Sequence, residues 1–471
     1  MPRLTLLALA TAVAALPAGS TRLAEADVAL MPDALVPPAF ALSAVPEPPS
    51  GTALVAAPRD VRTLIASARG AAPALCAYAA RAIGSWGGGA DAPATLLPAI
   101  EDRRSRRTAL PAADVQFLLE TVADADPCAR ELAVRLLAEE EAEAVTAGLL
   151  DRLGAADSGT RIAATLGLGL KEPRRAVEGL TRAVRDRVTG VRANALWALG
   201  RIGDGRAVRP AMTALGDDAP LVRETAAGAL GRLDSAAAVP ALLRVLKEDD
   251  AAAVRRTAAW ALAQLEARSA ADGLAAALRA DKAPEVREMA AWALGEIEAR
   301  GATATLLAAA RGDADADVRE TAVWALGQLE DASAAEGLGQ VLANDRDADV
   351  RGTAAWALGQ LELASAPRGL LAALTDGDPD VRLRAAWALS EIADAAALPA
   401  LRAALGKEQD AKVRRAQVRA LIKAGERTEE LTRLLESPDP EIRQAAVRGL
   451  AGRRGVDPWP WPEPRPRPFP R

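Results

Sequence analysis

The sequence contains no histidine. That absence removes Ser-His-Asp and Cys-His catalysis, histidine-ligated zinc or haem, and imidazole pH switches in one step. Aromatic residues make up only 3% of the 471 residues, and nine of them are tryptophan. Two cysteines, Cys76 and Cys128, are too few for a disulfide framework and too far apart in sequence for a CxxC redox or metal motif. They read either as a disulfide pair or as two buried free thiols. Excess positive charge is missing too: 58 Lys and Arg stand against 63 Asp and Glu, a net charge of −5. Binding along a phosphate backbone needs clustered cations, so no nucleic-acid partner is expected. Nothing in the composition calls for a cofactor or a bound metal.

Half of the residues are apolar, and Ala and Leu dominate among them. These are strong helix formers, whereas strands favour β-branched and aromatic residues, so the fold class is all-α. The start, "MPRLTLLALATAVAALPAGSTRLAEADVAL", places Arg3 before an uncharged apolar stretch from Leu4 to Ala18 and small residues. This is a signal-peptide pattern over residues 1–26, with an uncleaved membrane anchor as the alternative. The expected location is therefore outside the cytoplasm, periplasmic or extracellular, where Cys76 and Cys128 could pair. Residues 27–56 read as a Pro-rich, disordered linker. The last stretch, 453–471, is a Pro/Trp/Arg-rich tail in which "DPWPWPEPRPRPFP" and then Arg471 alternate Pro with Trp, Arg or Phe and are expected to be extended polyproline II. Either terminus offers a route to membrane or envelope association.

Between these ends lies a repeat. Aligned on an arginine that follows an apolar residue, the blocks are anchored at Arg192, Arg223, Arg255, Arg287, Arg319, Arg351, Arg382 and Arg414, with spacings of 31, 32, 32, 32, 32, 31 and 32. The frame extends back to Arg161 and Arg130 and forward to Arg443, giving eleven units over 112–452. "PALCAYAARAIG" at 73–84 reads as a degenerate twelfth within 57–111, which also holds an insertion with the basic run "EDRRSRRTAL". A fixed period of this size is the signature of a solenoid. Each unit holds two helices. In "DPDVRLRAAWALSEI", Asp378 is placed to cap the second helix and Pro379 to occupy its first turn. Val381, Ala385, Leu389 and Ile392 then share one face. Neither helix can bury its face alone, so neighbours must share a continuous core.

The units resemble HEAT repeats of the short bacterial, phycobilin-lyase-type kind. The likeness rests on D-x-x-x-x-V-R-x-x-A-A-x-A-L-G-x-(I/L) and covers about residues 112–450. It implies a right-handed α-solenoid of about 11–12 two-helix repeats. It also implies a ladder of ion pairs and hydrogen bonds between adjacent repeats, built from Asp217, Arg223, Asp249, Arg255, Asp281, Arg287, Asp313, Arg319, Asp345, Arg351, Asp376 and Arg382, with Arg319 holding Asp313. The pattern fails at Ala155 and Ser437, near the ends.

The tryptophans pose a separate question. At 100° per residue the apolar face centres near about 290°, whereas the fifth position after each arginine lies near about 140°. Trp197, Trp260, Trp292, Trp324, Trp356 and Trp387 occupy that position, and the resemblance implies a concave, surface-facing side there. The expectation is an outward stripe that binds a partner. The alternative is that the rings only extend the packing between repeats. The residue three later is always small (Gly200, Ala263, Gly295, Gly327, Gly359, Ser390), which makes room for an indole along its own helix. Mixed-sign neighbours suit a protein or peptide partner better than a polyanion.

"GDADADVRE" at 312–320 lacks the turn glycine and distant glutamate of a calcium loop. The first functional reading is a monomeric, non-enzymatic exported scaffold that binds a protein or peptide. The alternatives are an accessory subunit or sensor-like periplasmic module of a membrane system, and a lyase- or glycosylase-like HEAT enzyme. Deoxyhypusine hydroxylase, a further HEAT-like enzyme, is excluded because its iron site needs histidines.

Overall fold

A computed structural model describes residues 61–71, 109–427 and 429–452. Segments 1–26, 27–56 and 453–471 and most of 57–111, Cys76 included, lie outside the described residues. The chain divides into two units, Met1–Ser235 and Ala236–Arg471. In the first, the helix Val61–Ala68 precedes four helix pairs: Ala112–Thr121 with Pro127–Ala138, Glu143–Arg152 with Ser158–Lys171, Val177–Ala183 with Thr189–Ile202, and Val208–Ala214 with Pro220–Arg232. The second holds seven pairs. These are Val239–Glu248 with Ala252–Gln264, Ala271–Ala280 with Pro284–Glu296, Thr303–Gly312 with Ala316–Gln328, Ala335–Asn344 with Ala348–Gln360, Arg368–Ala372 with Pro379–Ile392, Leu398–Leu405 with Ala411–Lys423, and Glu429–Leu434 with Pro440–Leu450. The described residues contain no strand. Each unit is a stack of helix pairs, the α-solenoid architecture that the period predicts.

The corner between the two helices of a pair is built from aspartates. Asp345 ends the first helix in an extended conformation, and its Oδ1 accepts the Asp347 N–H at 2.9 Å. Asp347 then caps the second helix by accepting the Asp349 N–H. Asp378 accepts from Asp380 and Val381, with Pro379 in the first turn, as the sequence predicts. Beyond the cap, Val350, Ala354 and Leu358 are buried against Leu338, Val341 and Leu342 of the first helix. That shared core explains why neither helix stands alone. Second helices end on a left-handed residue: Gly203 and Gly425 adopt it freely, but Glu266, Glu298, Glu330 and Glu362 adopt it too, at φ of 47–52°. A side chain there costs about 1 kcal/mol relative to glycine.

The repeats are joined by arginine. Arg319 Nε donates to Asp345 Oδ2 at 2.7 Å and its second terminal nitrogen donates to Asp345 Oδ1 at 3.0 Å. Its remaining nitrogen donates to the backbone carbonyl of Asp313 at 3.0 Å. The carboxylate partner is therefore the aspartate of the following repeat, not Asp313, which corrects the expected pairing. Asp313 in turn accepts Arg287 at 2.7 and 2.8 Å. Arg255–Asp281, Arg351–Asp376 and Arg382–Glu408 repeat the arrangement, as do Arg192–Asp217 and Arg161–Asp186 in the first unit. Arg223 reaches its own Asp217 carbonyl at 3.0 Å, and Arg255 the Asp249 carbonyl at 2.8 Å.

Where the motif fails, the ladder changes. Ala155 offers no carboxylate to Arg130, whose Nε is buried without a partner. With Ser437 in the acidic place, Arg415 takes over by donating to Asp439 at 2.6 Å and Glu441 at 2.9 Å.

Arg319 is only 4% exposed, so its removal leaves a buried carboxylate and a buried carbonyl without donors. Arg319→Ala is expected to lower stability by about 3 kcal/mol, against about 0.5 or less for the exposed Lys247→Ala. Urea midpoints followed by circular dichroism measure both, and equal midpoints would contradict the ladder as the tie between repeats.

Candidate functional site

The side of each second helix opposite its first helix carries the tryptophans. Trp197, Trp324 and Trp356 are 4%, 6% and 3% exposed, and Trp260, Trp292 and Trp387 are half-buried. The expected outward stripe is thus corrected. The angular position is right, but the neighbouring helix comes closer than the helical wheel can show.

Glycine at the eighth position after the arginine permits that approach. A Cβ built on Gly327 would lie 2.6 Å from Trp356 Cζ3 and 3.2 Å from Ala357 Cα. Gly359 stands in the same relation to Trp387 and Ala388, Gly295 to Trp324 and Ala325, and, in the first unit, Gly169 to Trp197 and Ala198. The indoles of Trp197, Trp324, Trp356 and Trp387 therefore lie over the glycine of the preceding repeat, not along their own helix. Trp197 is also covered from the other side by the Arg201 guanidinium, 5.3 Å from the ring centroid, which is itself tied to Glu172.

Between the tryptophans runs a row of charge that the sequence reading missed. One residue after the anchor arginine stand Arg256, Glu288, Glu320 and Gly352 on consecutive second helices, and Arg384 follows one place later on the next. Glu320 accepts the Thr353 hydroxyl at 3.0 Å, and Arg384 reaches the same hydroxyl at 3.4 Å by lying over the space that Gly352 leaves. Glu288 makes no hydrogen bond or ion pair among the described residues. Burial, reinforced by Asp317, Asp315 and Glu320 and only partly opposed by Arg256, pushes its carboxyl up to about 7. Burial also raises Glu320 despite its bond from Thr353. The Nε atoms of Arg256 and Arg384, the Thr321 hydroxyl and the Trp324 indole N–H are buried with no acceptor among the described residues.

The only hint in the sequence was that Arg256, Glu288 and Glu320 fall within about 40° of the tryptophans on the helical wheel. Burial at that angle depends on the glycine-mediated approach, which the wheel does not show.

The ladder aspartates behave oppositely. Burial alone would raise Asp345, but its bonds from Arg319 and the Asp347 N–H outweigh it and hold the carboxyl below the ordinary value. Cys128 is buried on Pro127–Ala138 and is not a free thiol; Cys76 lies outside the described residues. Among the described residues there is no group of three metal-ligating side chains and no helix long and apolar enough to cross a membrane.

Stacked helix pairs locked by Asp–Arg bridges define a repeat protein of the α-solenoid class. The chain belongs to the HEAT-repeat family, whose pattern matches residues 146–220, 177–263, 208–294, 271–359 and 335–422. No curated protein matches the chain. Among solved structures it is similar to the one described as Kap95p binding inducing the switch loops of RanGDP, with a TM-score of 0.53 and 16% identity over 81% of this chain and 60% of that one. The chain thus spans about three fifths of that relative's length. Yeast importin-beta (Kap95p) gives a TM-score of 0.51 and 14% identity over 83% of this chain and 68% of that one. The complex of CpcE and CpcF of phycocyanin lyase from Nostoc sp. PCC7120 has 22% identity over 48% of this chain and 91% of that one, with a TM-score of 0.32. At these identities the likeness to importin-beta shows the fold alone.

Two expectations follow. Gly327→Ala should destabilise by about 1–3 kcal/mol even though Ala is the better helix former by about 1 kcal/mol, because its methyl collides with Trp356. In a double-mutant cycle, Trp356→Ala should remove most of that cost. An additive cycle would mean that the ring and the glycine do not meet.

For Glu288 the folded carboxyl is raised above its unfolded value, so the folded state is the better proton binder between about pH 4.5 and 7. Its burden is absent below that window and complete above it. Glu288→Gln should therefore raise stability by about 1–3 kcal/mol at pH 8 and leave it nearly unchanged at pH 4.5. Melting curves at the two pH values read the difference, and an equal gain at both would refute a raised carboxyl.

Proposed function

We propose that this HEAT-repeat chain is an exported, non-enzymatic scaffold that holds a protein or peptide on the second-helix face of residues 252–392. The observation that carries the reading is the row Arg256, Glu288, Glu320 and Arg384, half-buried charges of both signs in which Glu288 and the Nε atoms of Arg256 and Arg384 have no hydrogen-bond partner among the described residues. Natural proteins rarely leave such groups unmatched, because each costs about 1–3 kcal/mol until a partner arrives. Mixed charge at the floor and indole edges on either side suit a polypeptide, which offers carbonyls, cations and apolar side chains together. The tryptophans contribute by fixing the row's geometry, with half-buried Trp292 and Trp387 adding apolar rim.

The Kap95p structure described with RanGDP gives the same fold a protein-binding example, as an analogy only. Export rests on Arg3 and the apolar stretch 4–18. Glu288 titrates where a general acid–base would, but catalysis also needs a second group aimed at the same atom, and Glu320 is engaged by Thr353.

The test is capture from a cell-envelope fraction using the full chain, Glu288→Lys, and Glu298→Lys as an exposed control just past the end of the same helix. Loss of the captured protein with Glu288→Lys alone, at unchanged helicity, is the expected result. Equal capture by all three chains would remove this face from the function.

A further inference from the structure

The charge row reads plus, minus, minus, gap, plus along five consecutive second helices, from Arg256 through Glu288, Glu320 and Gly352 to Arg384. Its centre is short of cations: among the described residues Glu288 has no hydrogen-bond donor, and Glu320 has one hydroxyl. On the same helix as Glu320, Thr321 and Trp324 are more than nine-tenths buried, and their hydroxyl and indole N–H meet no acceptor. An occupant of the half-buried carboxylates must therefore bring positive charge. A guanidinium fits the carboxylates, since its planar fork can serve two oxygens and its face can stack on an indole.

The chain itself contains a segment of this chemistry. Residues 453–471 hold five arginines against two carboxylates, in a chain whose net charge is −5. From Pro458 to Pro470 every second residue is proline. Such a sequence keeps all of its carbonyls, lacks half of its N–H groups, and loses little freedom on binding because proline already restricts it.

Its reach also agrees. Arg465 and Arg467 follow Gly452 by 13 and 15 residues, or about 40 and 46 Å at about 3.1 Å per residue. From Pro440–Leu450 it is four helix steps back to Ala316–Gln328, which bears Glu320, and five to Pro284–Glu296, which bears Glu288. At about 8–10 Å per step these lie about 32–40 and 40–50 Å away.

We propose that residues 453–471 fold back along the second helices of their own unit and set Arg465 and Arg467 against Glu320 and Glu288. The proposal rests on the reading of this face as a binding surface, and it makes the segment the resident ligand that an external partner displaces.

The experiment uses full-length chains and a fluorescent synthetic peptide of residues 453–471, titrated by anisotropy to about 1 mM because a tethered segment competes at about millimolar effective concentration. The chain carrying Arg465→Glu and Arg467→Glu should bind the peptide at least about tenfold more tightly than the unaltered chain, whose own segment fills the row. Adding Glu288→Gln and Glu320→Gln should abolish that binding, a change that keeps shape and removes charge. Peptide binding that is absent from the arginine-reversed chain, equal in both chains, or indifferent to the glutamates would overturn the proposal. So would sedimentation showing a dimer that the arginine reversal dissolves, since the segment would then sit on a second copy. A captured envelope protein that still depends on Glu288 in a chain that ignores the peptide would sink this inference and leave the proposed function standing.

Discussion

One guanidinium per repeat holds this protein together. Arg161 and Arg192 in the first unit, and the anchor arginines from Arg255 to Arg382 in the second, spend two nitrogens on the carboxylate that begins the next repeat and the third on the carbonyl that closes their own corner, as Arg319 does between Asp345 and Asp313. The same aspartate organises the turn into its second helix through the N–H two residues on. Side-chain charge, helix start and repeat spacing are thus one interaction. A buried bidentate pair is costly to form and more costly to break, so a stack built this way fixes its register at every step.

That register decides what the tryptophans do. With second helices locked in place and glycine facing alanine, backbones come close enough for an indole to span from one repeat to the one before it. The ring becomes packing, and the surface it helps to build is narrower and more polar than a row of exposed aromatics. Burial of Glu288 and Glu320 is a consequence of the same approach, because a carboxylate one turn before a covered tryptophan is covered as well.

The sequence made the stack legible and the site largely illegible, for separate reasons. A period of 31 or 32, the Asp378–Pro379 start and the apolar positions are local properties of one helix pair, and single-chain patterns carry them well. The partner of Arg319 is not local. Asp313 and Asp345 occupy equivalent places in successive repeats, so sequence identifies the ladder's members without showing which rung each arginine grips. The tryptophan angle was likewise read correctly from a wheel, but a wheel has no neighbours. Only the distance between second helices, set by Gly295, Gly327 and Gly359, tells whether a ring at that angle meets solvent or the next helix.

In a duplicated array, recurrence and departure carry different information. Residues repeated through most units, the ladder arginine, the small residue eight places after it and the core leucines, are those that stacking itself requires, and they say little about what the stack is for. Gly352 breaks the run of charged side chains at its position, and Arg384 lies one place later than its counterparts and fills the space. Neither change improves the packing of a generic repeat: the arginine's Nε is left buried and unpaired. A cost that the repeat pattern does not demand, placed beside a half-buried carboxylate whose one donor is the Thr353 hydroxyl, marks where this array departs from structure for its own sake. The middle of the second unit is where such departures gather, and binding chemistry should be sought there before the tryptophans.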